Sequence, residues 1–121
     1  MTKTDLAYIA GIIDGEGTIT LSRHHSNQTP SPEISVADTS LRLLQHLKKV
    51  YKNHHTPSYV WTLRSNSALA LMESILPWLL IKDKRAKLIL RDYKRLTPRN
   101  GRYTTKQLKQ KLALAKRVQS L

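Results

Sequence analysis

The chain of 121 residues contains no cysteine. That absence removes disulfide bonds, thiolate nucleophiles and cysteine-built zinc sites together, so any metal must be held by oxygen or by histidine. Acids are scarce as well: 8 Asp and Glu stand against 21 Lys and Arg, a formal net charge of +13. No homopolymeric basic tail carries the excess, and a polyanion is the partner it fits. Long apolar runs are missing too. The longest, Ile75 to Ile81, is interrupted by Pro77 and is too short to span a bilayer, and the polar N-terminus lacks a signal-peptide pattern. The sequence therefore predicts a soluble, intracellular protein with no membrane partner. With no long unstructured stretch, residues 1–121 are expected to form one domain, small enough that a partner copy would add useful buried surface.

What is present begins with "IAGIIDGEG", Ile9 to Gly17. Thr2 and Asp5 stand three apart as a helix cap, and Leu6, Ile9, Ala10 and Ile13 repeat with helical spacing up to the glycines. From Thr18 the period changes to two, with Ile19 and Leu21 facing one way and Thr18, Thr20 and Ser22 the other. "HHSNQTPSP" breaks the run before Ile34 and Val36 alternate again, which reads as a two-stranded ribbon with a long polar turn. Leu41, Leu44 and Leu47 mark a second helix that ends before "KNHHTPS"; Tyr59, Trp61 and Leu63 then alternate with Val60, Thr62 and Arg64, as in a second hairpin. Helical spacing returns from about Ala68 to Leu76, and Pro77 bends the chain. A further helix carries Ala86, Ile89, Leu90 and Tyr93 as far as Leu96, and after "TPRNGRY" Thr104 or Thr105 caps a basic helix to Leu121. This order predicts an α+β domain whose sheet has one face covered by helices and one left over.

The uncovered face and its turns hold Thr18, Thr20, Ser22, Arg23, His24, Asn27, Gln28, Ser35, Lys52, His54, Thr62 and Arg64, a mixture of donors and acceptors. A DNA major groove admits a two-stranded ribbon and shows a different hydrogen-bonding edge for each base pair. An ordinary solvated sheet face is the other reading of these residues, and the net charge favours DNA. The pairs His24-His25 and His54-His55 read as DNA contacts or loop polarity rather than zinc ligands, because adjacent histidines in a strand point to opposite sides and no further ligand stands at zinc-finger spacing. Trp61 and Tyr59 share their period with Leu63 and are assigned to the core.

Helix one poses a separate problem. Ala7, Gly11 and Gly15 lie four apart, a stripe nearly without side chains that allows close approach by another helix, either within the chain or from a second copy. Asp14 and Glu16 stand at the negative end of the helix dipole, an unfavourable placement of roughly some tenths of a kcal/mol each. A positive partner is expected there, and a divalent cation with oxygen ligands fits.

"IAGIIDGEG" resembles the LAGLIDADG signature: Ala10, Gly11, Ile13, Asp14 and Gly17 match its letters, Gly15 takes its small-residue position and Glu16 its second acidic position. "PWLLIKDKRAKLIL", Pro77 to Leu90, looks like the lysine-bearing segment of that homing endonuclease family. One motif in a chain of this length is similar to the homodimeric members. The resemblance implies an αββαββα fold, with an antiparallel sheet as a saddle on DNA and helices behind it. It implies a homodimeric, Mg²⁺- or Mn²⁺-dependent endonuclease of the intron-homing kind, of intron, intein or free-standing origin, that cuts both strands of a long pseudo-palindromic duplex and works in an organelle or a prokaryotic cytoplasm. Carried over by residue, Glu16 binds metal with the Gly15 carbonyl as an extra ligand, Lys82 lies near the scissile phosphate, and Arg42 belongs to the solvent network. Asp38 falls where the family often has Gln or another polar water-positioning residue, a departure from the pattern, and its other reading is as the cap of the Leu41 helix. The dimer interface would hold Ala7, Ala10, Gly11 and Asp14. The alternative on the same fold is a non-cleaving nucleic-acid binder, an intron RNA maturase or a DNA-binding regulator.

Overall fold

The computed structural model describes residues 1–23, 29–37, 41–50, 60–98 and 102–121. Helix α1, Lys3–Glu16, opens with the predicted cap: Thr2 Oγ1 accepts from the Asp5 N–H, and the Asp5 carboxylate accepts from the Thr2 N–H, each at 3.1 Å. Two of the first turn's unmatched donors are thereby satisfied. The helix does not stop at its glycines; it runs through Gly11 and Gly15 to Glu16 and passes without a loop into strand β1, Gly17–Ser22. Gly17 makes that junction possible. A Cβ there would sit 2.8 Å from Ile13 Cα and 3.2 Å from the Ser35 carbonyl oxygen, so only glycine lets the helix descend directly onto the sheet.

Strand β2, Ser31–Ala37, pairs antiparallel with β1, and β3, Val60–Arg64, pairs antiparallel with β2, giving the order β1-β2-β3 among the described residues. Helix α2, Leu41–Val50, lies between β2 and β3 in the chain. Helices α3, Ser65–Ile75, α4, Asp83–Asp92, and α5, Thr105–Gln119, follow, with a 3-10 turn at Leu76–Trp78 that begins where Pro77 ends the regular helix. Thr104 caps α5 in a second reciprocal box with Gln107. Helix α4 ends at Asp92, short of the Leu96 expected from periodicity, and the chain goes on as turns to Leu96. The remaining strand of the αββαββα order has no place among the described residues; residues 51–59, Tyr59 included, lie outside them.

The strict alternation of β1, β2 and β3 puts Ile19, Leu21, Ile34, Val36, Trp61 and Leu63 on one face, all at 2% exposure or less. Ile9, Ala10 and Ile13 of α1, Ala68, Met72 and Ile75 of α3, Ala86 and Ile89 of α4, and Leu114 and Val118 of α5 complete this core. Each fully buried aliphatic side chain contributes about 1.5–3 kcal/mol against exposure. The outer edge of β1 is covered as well. Arg85 Nη1 donates to the Ile19 carbonyl and Gln119 Nε2 to the Leu21 carbonyl, each at 3.2 Å, while Arg85 also donates to the Gln119 and Leu121 carbonyls at the end of α5. Strand carbonyls that would otherwise invite a foreign strand are occupied. No helix among the described residues is long and apolar enough to cross a membrane.

Candidate functional site

Three neighbouring features meet along α1 and the sheet. At the end of α1, the Asp14 carboxylate accepts three backbone hydrogen bonds, from the N–H groups of Leu80 at 2.7 Å, Ile81 at 3.2 Å and Lys82 at 3.0 Å. These amides lead into α4, so a carboxylate at the unfavourable end of one helix sits at the favourable, positive end of another. Partial burial acts to raise the Asp14 pKa, but the three amides and the Lys82 charge outweigh it and hold the carboxyl below its ordinary value. The positive partner expected at this helix end is thus supplied to Asp14 within the chain, which fits the resemblance's assignment of Asp14 as the more structural of the two acids. Lys82 turns back over the same point, its Nζ donating to the Asp14 carbonyl oxygen at 2.6 Å. Two residues further along, Glu16 is exposed. Arg42, in the first turn of α2, is exposed too, whereas Asp38 lies outside the described residues.

The second feature is the glycine stripe. A Cβ at Gly11 or Gly15 would meet nothing within 4 Å, so none of the described residues packs closely on the stripe, which leaves it open to a second copy. It forms the floor of an open groove whose walls include Ala7, Tyr8, Ile12, Glu16 and Leu43. Leu80 and Ile81 are exposed beside the Asp14 end of the same helix, at 88% and 71%. Ala10, expected at the dimer interface with Ala7 and Gly11, is fully buried against the core, and Asp14 is engaged with residues 80–82. Of the four residues expected at the interface, Ala7 and Gly11 are the two that line the open groove, together with Gly15. Two alanines three residues apart look alike in sequence, and only packing separates them.

The third feature is the outward face of the sheet. The register aligns Thr18, Ser35 and Thr62 in one row across the strands, Thr20, Glu33 and Arg64 in the next, and Ser22 with Ser31 in the third. Hydroxyls dominate, as the alternation predicted. Glu33 is the residue that sequence reasoning missed. Its carboxylate accepts from Ser22 Oγ at 2.7 Å and from Arg64 Nε at 3.3 Å, joining all three strands, and the signal for it was its place in the β2 alternation beside Ser31 and Ser35. Arg23 is exposed just beyond β1, and His24, Asn27, Gln28, Lys52 and His54 lie outside the described residues. Much of the positive charge sits elsewhere, on the outer surfaces of α4 and α5, where Lys84, Lys87, Arg91, Lys116 and Arg117 are exposed.

Among the described residues no three His, Asp or Glu side chains cluster closely enough to hold a metal by themselves. The exposed Glu16 carboxylate and the Gly15 carbonyl are hard oxygen donors of the kind Mg²⁺ accepts when phosphate oxygens and water complete its shell.

Helices packed behind an antiparallel sheet, entered by a helix that runs without a loop into its first strand, make the fold of the LAGLIDADG homing endonucleases, and this chain has that fold. It is similar to the homing endonuclease I-CvuI, with a TM-score of 0.78 and 21% identity over 98% of this chain and 82% of that one. I-CvuI was solved in complex with the I-CreI target in the presence of Mg, with the DNA not cleaved, and with its own target in the presence of Ca. The chain is also similar to the LAGLIDADG homing endonuclease I-GzeII in complex with its DNA target, with a TM-score of 0.63 and 17% identity over 91% of this chain and 43% of that one. No protein-family model matches the sequence, and no curated protein does.

Proposed function

We propose that this chain is a single-domain, site-specific homing endonuclease that acts as a homodimer and makes a metal-dependent double-strand break in a long pseudo-palindromic DNA target. The observation that carries the reading is the company kept at the end of α1: an open glycine groove, the exposed Glu16 and the Lys82 ammonium stand together beside a hydroxyl-lined sheet face. Two copies packed along the 7, 11, 15 stripe would bring both Glu16 carboxylates to a twofold axis, one for each strand of the duplex. The solved proteins of this fold named above are complexes with DNA, which supports the same partner here.

Glu16 and the Gly15 carbonyl are the groups that would hold Mg²⁺ or Mn²⁺, which when bound activates water and stabilises the leaving oxygen in phosphodiester hydrolysis. Lys82 is fixed by one hydrogen bond to the Asp14 carbonyl and keeps its other N–H groups for phosphate. Arg42, exposed on α2, and Asp38 are assigned to the surrounding water network. Such an enzyme works where its target genome lies, in an organelle or a prokaryotic cytoplasm.

A non-cleaving binder, maturase or regulator, is the second reading; what favours it is that no three His, Asp or Glu side chains cluster to hold a metal among the described residues. Glu16→Gln decides between the two. Selection on a randomised duplex library, followed by cleavage of the selected target in Mg²⁺, should show the variant binding as the wild type does but leaving the DNA intact. A wild type that binds a symmetric target yet never cuts it would establish the second reading. A Glu16→Gln homodimer that linearises its target at the wild-type rate would remove Glu16 from the mechanism.

A further inference from the structure

The middle row of the sheet face holds a charge pair, Arg64 and Glu33. Arg64 ends β3 and occupies the N-cap position of α3, yet its side chain makes no capping hydrogen bond there. A cation at the positive end of a helix is the wrong charge for stability, and Ser, Thr, Asp or Asn is the residue a helix start prefers. The backbone around it is nonetheless firmly set. Arg64 pairs with Glu33 in the sheet register, and the next residue, Ser65, turns the chain at φ 55, a left-handed conformation that a non-glycine residue keeps only where its surroundings hold it.

The side chain is set as well. Ser22 Oγ fixes one oxygen of Glu33 at 2.7 Å, and the other oxygen takes Arg64 Nε at 3.3 Å. Because the bond to Glu33 uses Nε, the bidentate edge left to Arg64 is the Nη1–Nη2 end, and the Arg64 side chain is 57% exposed against 14% for Glu33. A guanidinium so placed is a fork with its orientation chosen in advance.

We propose that Ser22 and Glu33 hold Arg64 as a preset fork that reads one guanine in each half-site of the DNA target. The inference rests on the proposed function, since it takes the sheet face to lie in a major groove. Charge decides between base and phosphate as the partner of the fork. A phosphate approaching Arg64 also meets the Glu33 carboxylate beside it, which weakens its attraction, whereas a neutral base edge suffers no such repulsion. Geometry then chooses the base: guanine presents two acceptors, O6 and N7, to a bidentate donor in the major groove. Arg64 touches the base, and Ser22 and Glu33 are positioning residues.

The test uses the full chain and selection on a randomised duplex library in Ca²⁺, with wild type, Glu33→Gln and Arg64→Lys in parallel. Wild type is expected to require guanine at one symmetric pair of positions. Arg64→Lys, which keeps the charge but loses the fork, should lose that requirement by about tenfold and keep the rest of the site. Glu33→Gln leaves Arg64 with unopposed charge, so it should relax the same position, bind random duplex more tightly, and steepen the salt dependence by about one phosphate contact per subunit. A merely structural role for Glu33 would not move base preference at a single position. Independently of how the variants fold, 7-deazaguanine, which lacks N7, is placed in turn at each guanine of the selected half-site. Wild type should lose about tenfold at one of them. If wild type selects a symmetric site but no 7-deazaguanine weakens it, or the variants keep every base preference, the fork is overturned while the proposed function stands. If wild type selects no symmetric site, both fall.

Discussion

Asp14 and Lys82 are bonded twice: the Lys82 N–H donates to the Asp14 carboxylate at 3.0 Å, and the Lys82 ammonium donates to the Asp14 carbonyl oxygen at 2.6 Å. The first bond gives the acid its counterpart. The second sets the lysine where the proposed chemistry needs a cation. Asp14→Asn replaces one acceptor oxygen by an amide that faces N–H groups of residues 80–82, and about 1–2 kcal/mol of stability should be lost in this partly open setting. The folded-state pKa of Asp14 is depressed, so its contribution is present above the ordinary carboxylate range and fades as pH falls through the lowered value. Urea unfolding of both proteins should show the gap at neutral pH closing well below about pH 4. A gap that stays the same into strong acid would mean the charge of Asp14 does not matter.

Two glycines of the motif should respond in opposite ways. Gly11 is open to a Cβ, so Gly11→Leu should leave the monomer as stable or raise it by roughly 0.5–1 kcal/mol through helix propensity, while it separates the dimer. Gly17→Ala places its methyl 2.8 Å from the Ile13 backbone and should cost about 1–3 kcal/mol without regard to dimerisation. Sedimentation read beside chemical unfolding checks both; loss of stability in Gly11→Leu without loss of the dimer would refute the assignment of the groove.

Lys111 gives a third expectation, tied to pH. It is fully buried on α5, its Nζ donating to the Tyr93 carbonyl at 3.0 Å and to Thr97 Oγ1, with the ammonium 3.6 Å from the centre of the Tyr93 ring. Those partners favour the charged form, but burial outweighs them and pushes the amine from 10.5 down to about 8. Between these values the unfolded chain binds a proton that the folded chain does not, so the group makes stability rise with pH across the window. Lys111→Met leaves the Tyr93 carbonyl bonded to Thr97 Oγ1 at 2.7 Å. The variant should match or exceed wild type at neutral pH, and its advantage should shrink as pH climbs from about 8 to 10.5. Parallel unfolding curves over that range would show the difference, and a constant offset would contradict it.

Most of the secondary structure was legible because its causes are local. The Thr2 and Thr104 caps each involve a partner three residues away, and the change of period at Gly17 marks where helix becomes strand. The end of α4 was misjudged by four residues, since apolar spacing continues to Leu96 although the helix stops at Asp92. The order of helices and hairpins came from periodicity, whereas the roles of Glu16 and Lys82 came from the motif's resemblance. Ala10 was placed at an interface because small residues at adjacent helix positions carry no mark of which one meets the core.

Composition and short-range pattern determined by themselves that this is a basic α+β protein with a polar sheet face and a helix ending in two acids. Those properties depend on hydrogen bonds and periodicities within a few residues, which the order of side chains specifies directly. Only the tertiary structure decided what the acids and cations do: Asp14 meets amides 66 to 68 residues away, Glu33 ties strands by its register, and Lys111 is buried on a helix whose composition reads as a solvated face. A charge acts through whatever lies within a few ångströms of it, and at that range the neighbours are chosen by the packing of distant segments rather than by their succession along the chain.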